Sequence, residues 1–136
     1  MRAHHYGLTV SDLDRAVAFY ADALGLDAVR EFSVGGEAFA DAVDVPGASA
    51  EFVHLDAGDA LLELVAYDPA GDDRTGGDVN DAGATHLGLA VDDVDAVFHG
   101  LPDAVETHSS PQTTESGTRI CFLRDPEGNM VELLEA

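Results

Sequence analysis

Residues 5–20 read HYGLTVSDLDRAVAFY, and residues 86–101 read HLGLAVDDVDAVFHGL. The two stretches agree at His5/His86, Gly7/Gly88, Leu8/Leu89, Val10/Val91, Asp12/Asp93 and Asp14/Asp95. A second echo closes each half: ALLELV from Ala60 matches NMVELL from Asn129, which aligns Glu63 with Glu132. Landmarks repeated in the same order mark an internal duplication, so the fold is one unit built twice.

Periodicity gives that unit its shape. Residues 5–10 alternate, with Tyr6, Leu8 and Val10 on one strand face and His5, Gly7 and Thr9 on the other. Ser11 is the expected N-cap of the next helix, with Asp14 as its short capping-box partner. Leu13, Ala16, Val17, Tyr20 and Leu24 follow at helical spacing, and Gly25 supplies the left-handed C-cap. Phe19 and Tyr20 continue this stripe and are expected in the core. Strands are expected at 28–32, 51–55 and 61–67. The second half repeats the order: a strand over 86–91, a helix from Asp92 or Asp93 to about His99, then strands near Val105, at 119–123 and at 129–134. The turns are signalled by Asp68-Pro69-Ala70-Gly71 and Asp125-Pro126-Glu127-Gly128. The expected fold is α+β, a single domain of two tandem βαβββ modules, 1–67 and 85–136. A polar, Gly- and Asp-rich linker at 68–84 joins them.

A chain of 136 residues suits that plan and buries roughly two-thirds of its unfolded surface. Its 27 acidic residues against six basic ones give a formal net charge of -21, and all six basic residues are Arg. A phosphate backbone or an anionic membrane surface would be repelled, so nucleic-acid and peripheral-membrane partners are excluded. The acid is scattered along the chain, and a hydrophobic fraction of 46 % argues for a packed domain with a solvated acidic coat. Such a coat suits a salt-loving organism, where high ionic strength screens self-repulsion. Cys121 has no partner for an internal disulfide and lies in Ile120-Cys121-Phe122-Leu123, as a small buried hydrophobe would. No run of about 18 apolar residues is present, and Met1-Arg2-Ala3-His4-His5 lacks an apolar signal region. The expectation is a soluble, cytoplasmic protein.

Strand parity then isolates four side chains. His86 shares its face with Gly88 and Ala90, small neighbours that leave space rather than a packed core. Glu63 points away from Leu62 and Leu64, and Glu132 away from Val131 and Leu133. A carboxylate on an otherwise apolar strand is costly to bury without a partner. With no Lys and six Arg, cations to pair with are few. Two imidazoles and two carboxylates at repeat-equivalent positions suit a divalent ion such as Zn, Ni, Co, Mn or Fe.

On HYGLTVSDLDRAVAFYADALGL, ALLELVAY, HLGLAVDDVDAV and DPEGNMVELLE, the chain resembles the vicinal oxygen chelate superfamily. That superfamily includes glyoxalase I, methylmalonyl-CoA epimerase, extradiol dioxygenases, and fosfomycin or bleomycin resistance proteins. The resemblance covers essentially the whole chain. It implies that the modules curl into a mostly antiparallel sheet cup, closed within one chain or across a homodimer. It also implies that His5, Glu63, His86 and Glu132 are metal ligands. A four-ligand set favours proton transfer next to a carbonyl of a small oxygenated substrate, as in glyoxalase I or the epimerase. Three ligands would suit a dioxygenase. Glu132 is the first choice for the base, as the ligand that can detach, and Glu63 the second. A non-catalytic binding or resistance protein of the same fold is the rival reading.

The resemblance has gaps. Glyoxalase I commonly carries an Arg four residues after its first ligand His and an Asn four after its first ligand Glu. Here those positions are Thr9 and Tyr67. The epimerase segment Ser-Pro-Ile-Ala before the second His is replaced by DRTGGDVNDAGATH. The remaining candidates read as follows: Glu37 as a solvated loop residue, His99 and His108 as surface residues, and His54 as solvent-facing or turned toward the cup. His4 is off-register from His5 and is expected on the opposite face. Tyr67 and Phe122 are candidates for the cup mouth.

Overall fold

Each His-x-Gly-Leu stretch forms the first strand of its own four-stranded sheet. The computed structural model describes residues 1–135 and divides into two compact units, Met1–Asp73 and Arg74–Ala136. The polar stretch expected as a linker is thus shared between the two units.

The first unit runs β1 (His5–Thr9), α1 (Leu13–Ala18), β2 (Ala28–Val34), α2 (Glu37–Val43), β3 (Ser49–Asp56) and β4 (Leu61–Asp68). Its sheet order is β1-β4-β3-β2, with β1 parallel to β4 and the other pairs antiparallel. The second unit runs β5 (His86–Ala90), α3 (Val94–Gly100), β6 (Gln112–Thr113), β7 (Arg119–Arg124) and β8 (Met130–Glu135). Its order is β5-β8-β7-β6, with β5 parallel to β8. Both units therefore carry the expected βαβββ plan, and the chain is α+β. Among the described residues, no helix is long and apolar enough to cross a membrane.

In each unit one sheet face packs under a helix. Leu8, Val53, Leu55, Leu62 and Leu64 are buried beside Ala16, Phe19 and Tyr20 in the first unit; Cys121, Leu123, Val131 and Leu133 are buried with Val94 in the second. The period-2 pattern thus puts Glu63 on the face away from α1 and Glu132 on the face away from α3.

Several local expectations are corrected. The first helix is capped by Asp12 rather than Ser11: its side chain accepts the Arg15 N–H at 3.0 Å. Asp93 caps α3 the same way, accepting from Ala96 at 2.8 Å, so the repeat-matched aspartates are the caps. Beyond Ala18 the expected α-helix widens into a π-helical turn over Phe19–Ala23, and Gly25 follows at φ +75° as the stop signal required. The strand expected near Val105 is reduced to a bridge between Thr107 and Leu123, and β6 forms further on.

Helix α2 has no counterpart in the second unit, and nothing in the repeat foretells it. It ends at Asp44, whose φ of +56° is a left-handed turn that Asp tolerates. Glu37 opens this helix on the surface and is not a loop residue. Phe39 packs from α2 against a cluster of Ala50, Phe52 and Val65, joined by Phe32, Val34 and Tyr67. This cluster lies on the same sheet face as Glu63.

Candidate functional site: two repeated His–Glu pairs

The parallel pairing of first and last strands sets the geometry of each pair. In the first unit Gly7 is in register with Glu63, and in the second Gly88 is in register with Glu132. A Cβ added at Gly7 would come within 3.9 Å of a Glu63 oxygen, and one at Gly88 within 3.8 Å of a Glu132 oxygen. Glycine thus leaves the space beside each carboxylate open. The histidine two residues earlier on the strand reaches across that gap. His5 Nε2 stands 3.5 Å from Glu63 Oε1, and His86 Nε2 stands 3.2 Å from Glu132 Oε2. Both histidine side chains are 39 % exposed, while Glu63 and Glu132 are 14 % and 20 % exposed. The two halves therefore present the same half-open donor pair.

The surroundings of the pairs differ. In the first unit, β3 and β4 bring His54 opposite Glu63, and His54 Nε2 lies 2.6 Å from Glu63 Oε2. A carboxylate oxygen can only accept, so His54 donates through its Nε2–H. His54 is 6 % exposed, so this strand position is neither solvent-facing nor free. The Phe32 ring sits edge-on to it at 5.0 Å, and the His5 ring stacks on it at 6.2 Å. His4 joins this group, against the parity argument, with its Nδ1 2.8 Å from His5 Nδ1. It precedes β1, so strand alternation does not govern it. Sharing a proton between those Nδ1 atoms leaves His5 Nε2 directed toward Glu63.

In the second unit, the residue opposite Glu132 is Phe122, which has no donor to offer. The Phe122 ring lies edge-on to His86 at 5.2 Å and stacks with His108 at 5.9 Å. His108 is exposed, as expected, but its ring extends the aromatic surface beside the pair. Tyr67, the other residue considered for a cup mouth, stacks on Phe39 at 6.2 Å in the aromatic cluster. His99 is spent on its own helix, donating from Nδ1 to the Asp95 carbonyl at 2.7 Å. Burial pushes the Cys121 thiol up, which keeps it protonated and unreactive.

The strand carrying Glu132 is anchored by a polar turn whose acid parity did not single out. Asp125 is 5 % exposed, and its Oδ1 accepts from the Glu127 and Asn129 backbone N–H groups, both at 2.9 Å. A concavity on α2, lined by Gly36, Glu37, Ala40, Asp41 and Val45, includes neither pair.

The donor sets can be tested against a divalent ion. Two cis ligands, each about 2.1 Å from one ion, stand about 3 Å apart. The Nε2–Oε separations of 3.5 and 3.2 Å are close to that, and the glycines leave the approach unblocked. His and Glu suit borderline divalent metals. Among the described residues, no three His, Cys, Asp or Glu side chains form a ready metal cluster; each pair is a two-donor set.

Comparison with known proteins bears on the fold and the family. The family model described as "Glyoxalase/Bleomycin resistance protein/Dioxygenase superfamily" matches residues 2–133. A probable chloroplastic lactoylglutathione lyase of Arabidopsis thaliana is 31 % identical over 98 % of this chain, which spans 35 % of that protein's length. A probable lactoylglutathione lyase of Vibrio parahaemolyticus is 26 % identical, with 98 % of this chain and 90 % of that one aligned. A 2-epi-5-epi-valiolone epimerase from an Actinomyces species is 30 % identical over 96 % of this chain and 77 % of its own length. Among solved structures, a glyoxalase family protein from Bacillus cereus superposes with a TM-score of 0.88, covering 99 % of this chain and 93 % of that one. At 24 % identity, that likeness speaks to the fold. The duplicated βαβββ plan, the repeat-matched pairs and the nearly full-length family match lead to one conclusion: this chain belongs to the glyoxalase/bleomycin resistance protein/dioxygenase superfamily.

Proposed function

We propose that this protein is a divalent-metal-dependent lyase or isomerase that moves a proton next to a carbonyl of a small oxygenated substrate. The observation that carries the reading is the recurrence of one His–Glu pair, at the same register position beside a glycine, in both units. Relatives named as lyases and an epimerase support that reaction class.

In this reading His5, Glu63, His86 and Glu132 hold the ion. When bound, the ion supplies the positive charge that stabilises an oxyanion developing on the substrate. Glu132 is the base that accepts the substrate C–H proton, because a turn of its carboxylate leaves no donor on Phe122 unpaired. Glu63 stays in place, held by His54. Thr9 and Tyr67 stand where glyoxalase I commonly grips the glutathione carboxylate, so the substrate handle differs from that enzyme's. A net charge of -21 also disfavours anionic substrates. The protein is proposed to work as a cytoplasmic homodimer in a salt-rich cell, where the acidic coat is screened.

The test is elemental analysis of protein purified in high salt, combined with activity screening against methylglyoxal plus several thiols and against acyl-CoA thioesters. The expected result is a bound divalent ion that is lost in Glu63→Gln and His86→Ala, with turnover of one substrate class. A metal-free, folded wild-type protein that binds small molecules without turnover would establish the non-catalytic alternative instead.

A further inference from the structure

The two glutamates are equivalent by sequence repeat, by strand register and by distance to their histidines. They are not equivalent across the next strand pair. The β3–β4 register places His54 opposite Glu63, and the matching β7–β8 register places Phe122 opposite Glu132. One half thus offers a hydrogen-bond donor to its carboxylate where the other offers a hydrocarbon ring.

The consequence follows from burial. His54 is 6 % exposed, and its Nε2 is 2.6 Å from Glu63 Oε2. Phe32 at 5.0 Å and His5 at 6.2 Å bracket its ring, so it cannot follow a moving carboxylate. If Glu63 turned away, a buried N–H would lose its acceptor. Turning Glu132 away from His86 leaves no such orphan on Phe122. We infer that His54 is a positioning residue: it pins Glu63 as a fixed ligand and so leaves proton transfer to Glu132. The inference deepens the proposed function and rests on Glu63 being a metal ligand. His54 acts through Glu63 and is not itself placed on substrate.

Cobalt(II) supplies a test independent of turnover, because its visible absorption reports both affinity and ligand geometry. Wild type, His54→Phe, His54→Gln and Glu63→Gln are titrated with Co²⁺ alone, and each is melted to establish its fold. His54→Phe copies the second half and removes the donor; its Co²⁺ affinity is expected to fall about 10–100-fold, with an altered spectrum. His54→Gln keeps an amide donor at comparable reach and is expected to recover most of both. Should His54→Phe fail to fold, His54→Asn, polar but too short to reach Oε2, replaces it with the same expected loss. Wild-type affinity in the variant lacking the donor, or a His54→Gln variant no better than it, overturns the positioning role. If wild type binds Co²⁺ and Glu63→Gln binds it equally well, Glu63 is not a ligand and the inference falls on that ground. A wild-type protein that takes up no Co²⁺ overturns the functional reading, and this inference with it.

Discussion

The two units use the same strand plan for the pair and different chemistry behind it. In the first, Glu63 lies between His5 and a buried His54, with an aromatic wall of Phe32, Phe52, Phe39 and Tyr67 on the same face. In the second, Glu132 is paired with His86 and stands in register with Phe122, whose ring is edge-on to His86 and stacked with His108. Duplication supplies two copies of a His–Glu pair. Under the proposed function, divergence one strand away lets the copies take different roles, one fixed and one mobile.

The largest expected break in that comparison comes from neutralising each glutamate in turn. Glu132→Gln should lower turnover about 10²–10⁴-fold while some metal is retained, whereas Glu63→Gln should lose the metal. Paired metal analysis and steady-state kinetics check this, and the reverse pattern would exchange the two roles.

The sheets beneath the pairs are predicted to respond alike. Leu62 and Leu133, each flanking its glutamate, are 0 % and 1 % exposed. Truncating either to Ala should cost about 2–5 kcal/mol by denaturant unfolding. A much smaller cost in one unit would mean that its core tolerates cavities the other does not. Smaller still is Asp125→Ala, which frees two backbone N–H groups of the turn before β8 and should cost about 1–3 kcal/mol. That variant is specific to the second unit, so amide exchange should quicken around β8 and leave β4 unchanged.

The smallest effect concerns pH. The Arg119 guanidinium donates to both oxygens of Asp95, including Nη2 to Oδ1 at 2.7 Å, and holds that carboxyl below its ordinary value. A carboxyl depressed in the folded state stabilises it at pH values above the ordinary carboxylate range, and the gain is lost as pH falls through that range. Asp95→Asn should therefore lower the melting temperature slightly at neutral pH and leave the acid end nearly unchanged, which flattens the acid limb of the profile. Because the pair is exposed, a large loss at neutral pH would show that it does more than tie α3 to β7.

Strand alternation made most of this architecture legible in the sequence. The period of two put Glu63 and Glu132 opposite buried leucines without knowledge of the fold, and the repeat matched them across the halves. What escaped depended on tertiary register. His54 could be placed on a strand, but its partner is set by the β3–β4 hairpin, where Asp56 accepts the Gly58 N–H at 2.9 Å and fixes the turn. His4 escaped because it lies just outside the strand whose parity was applied to it. Helix α2 escaped because it is short, presents only Phe39, Ala40 and Val43 toward the protein, and has no copy in the second half to reinforce it.

The central claim is that the two repeated pairs serve a single ion. Its most direct test is the stoichiometry of divalent metal after exhaustive dialysis, by elemental analysis of wild type beside His5→Ala and His86→Ala. The account predicts about one tightly held ion per chain, lost on removing either histidine, because four His and Glu donors complete a set that two do not. Two ions per chain, each sensitive only to its own histidine, or none at all, would contradict it.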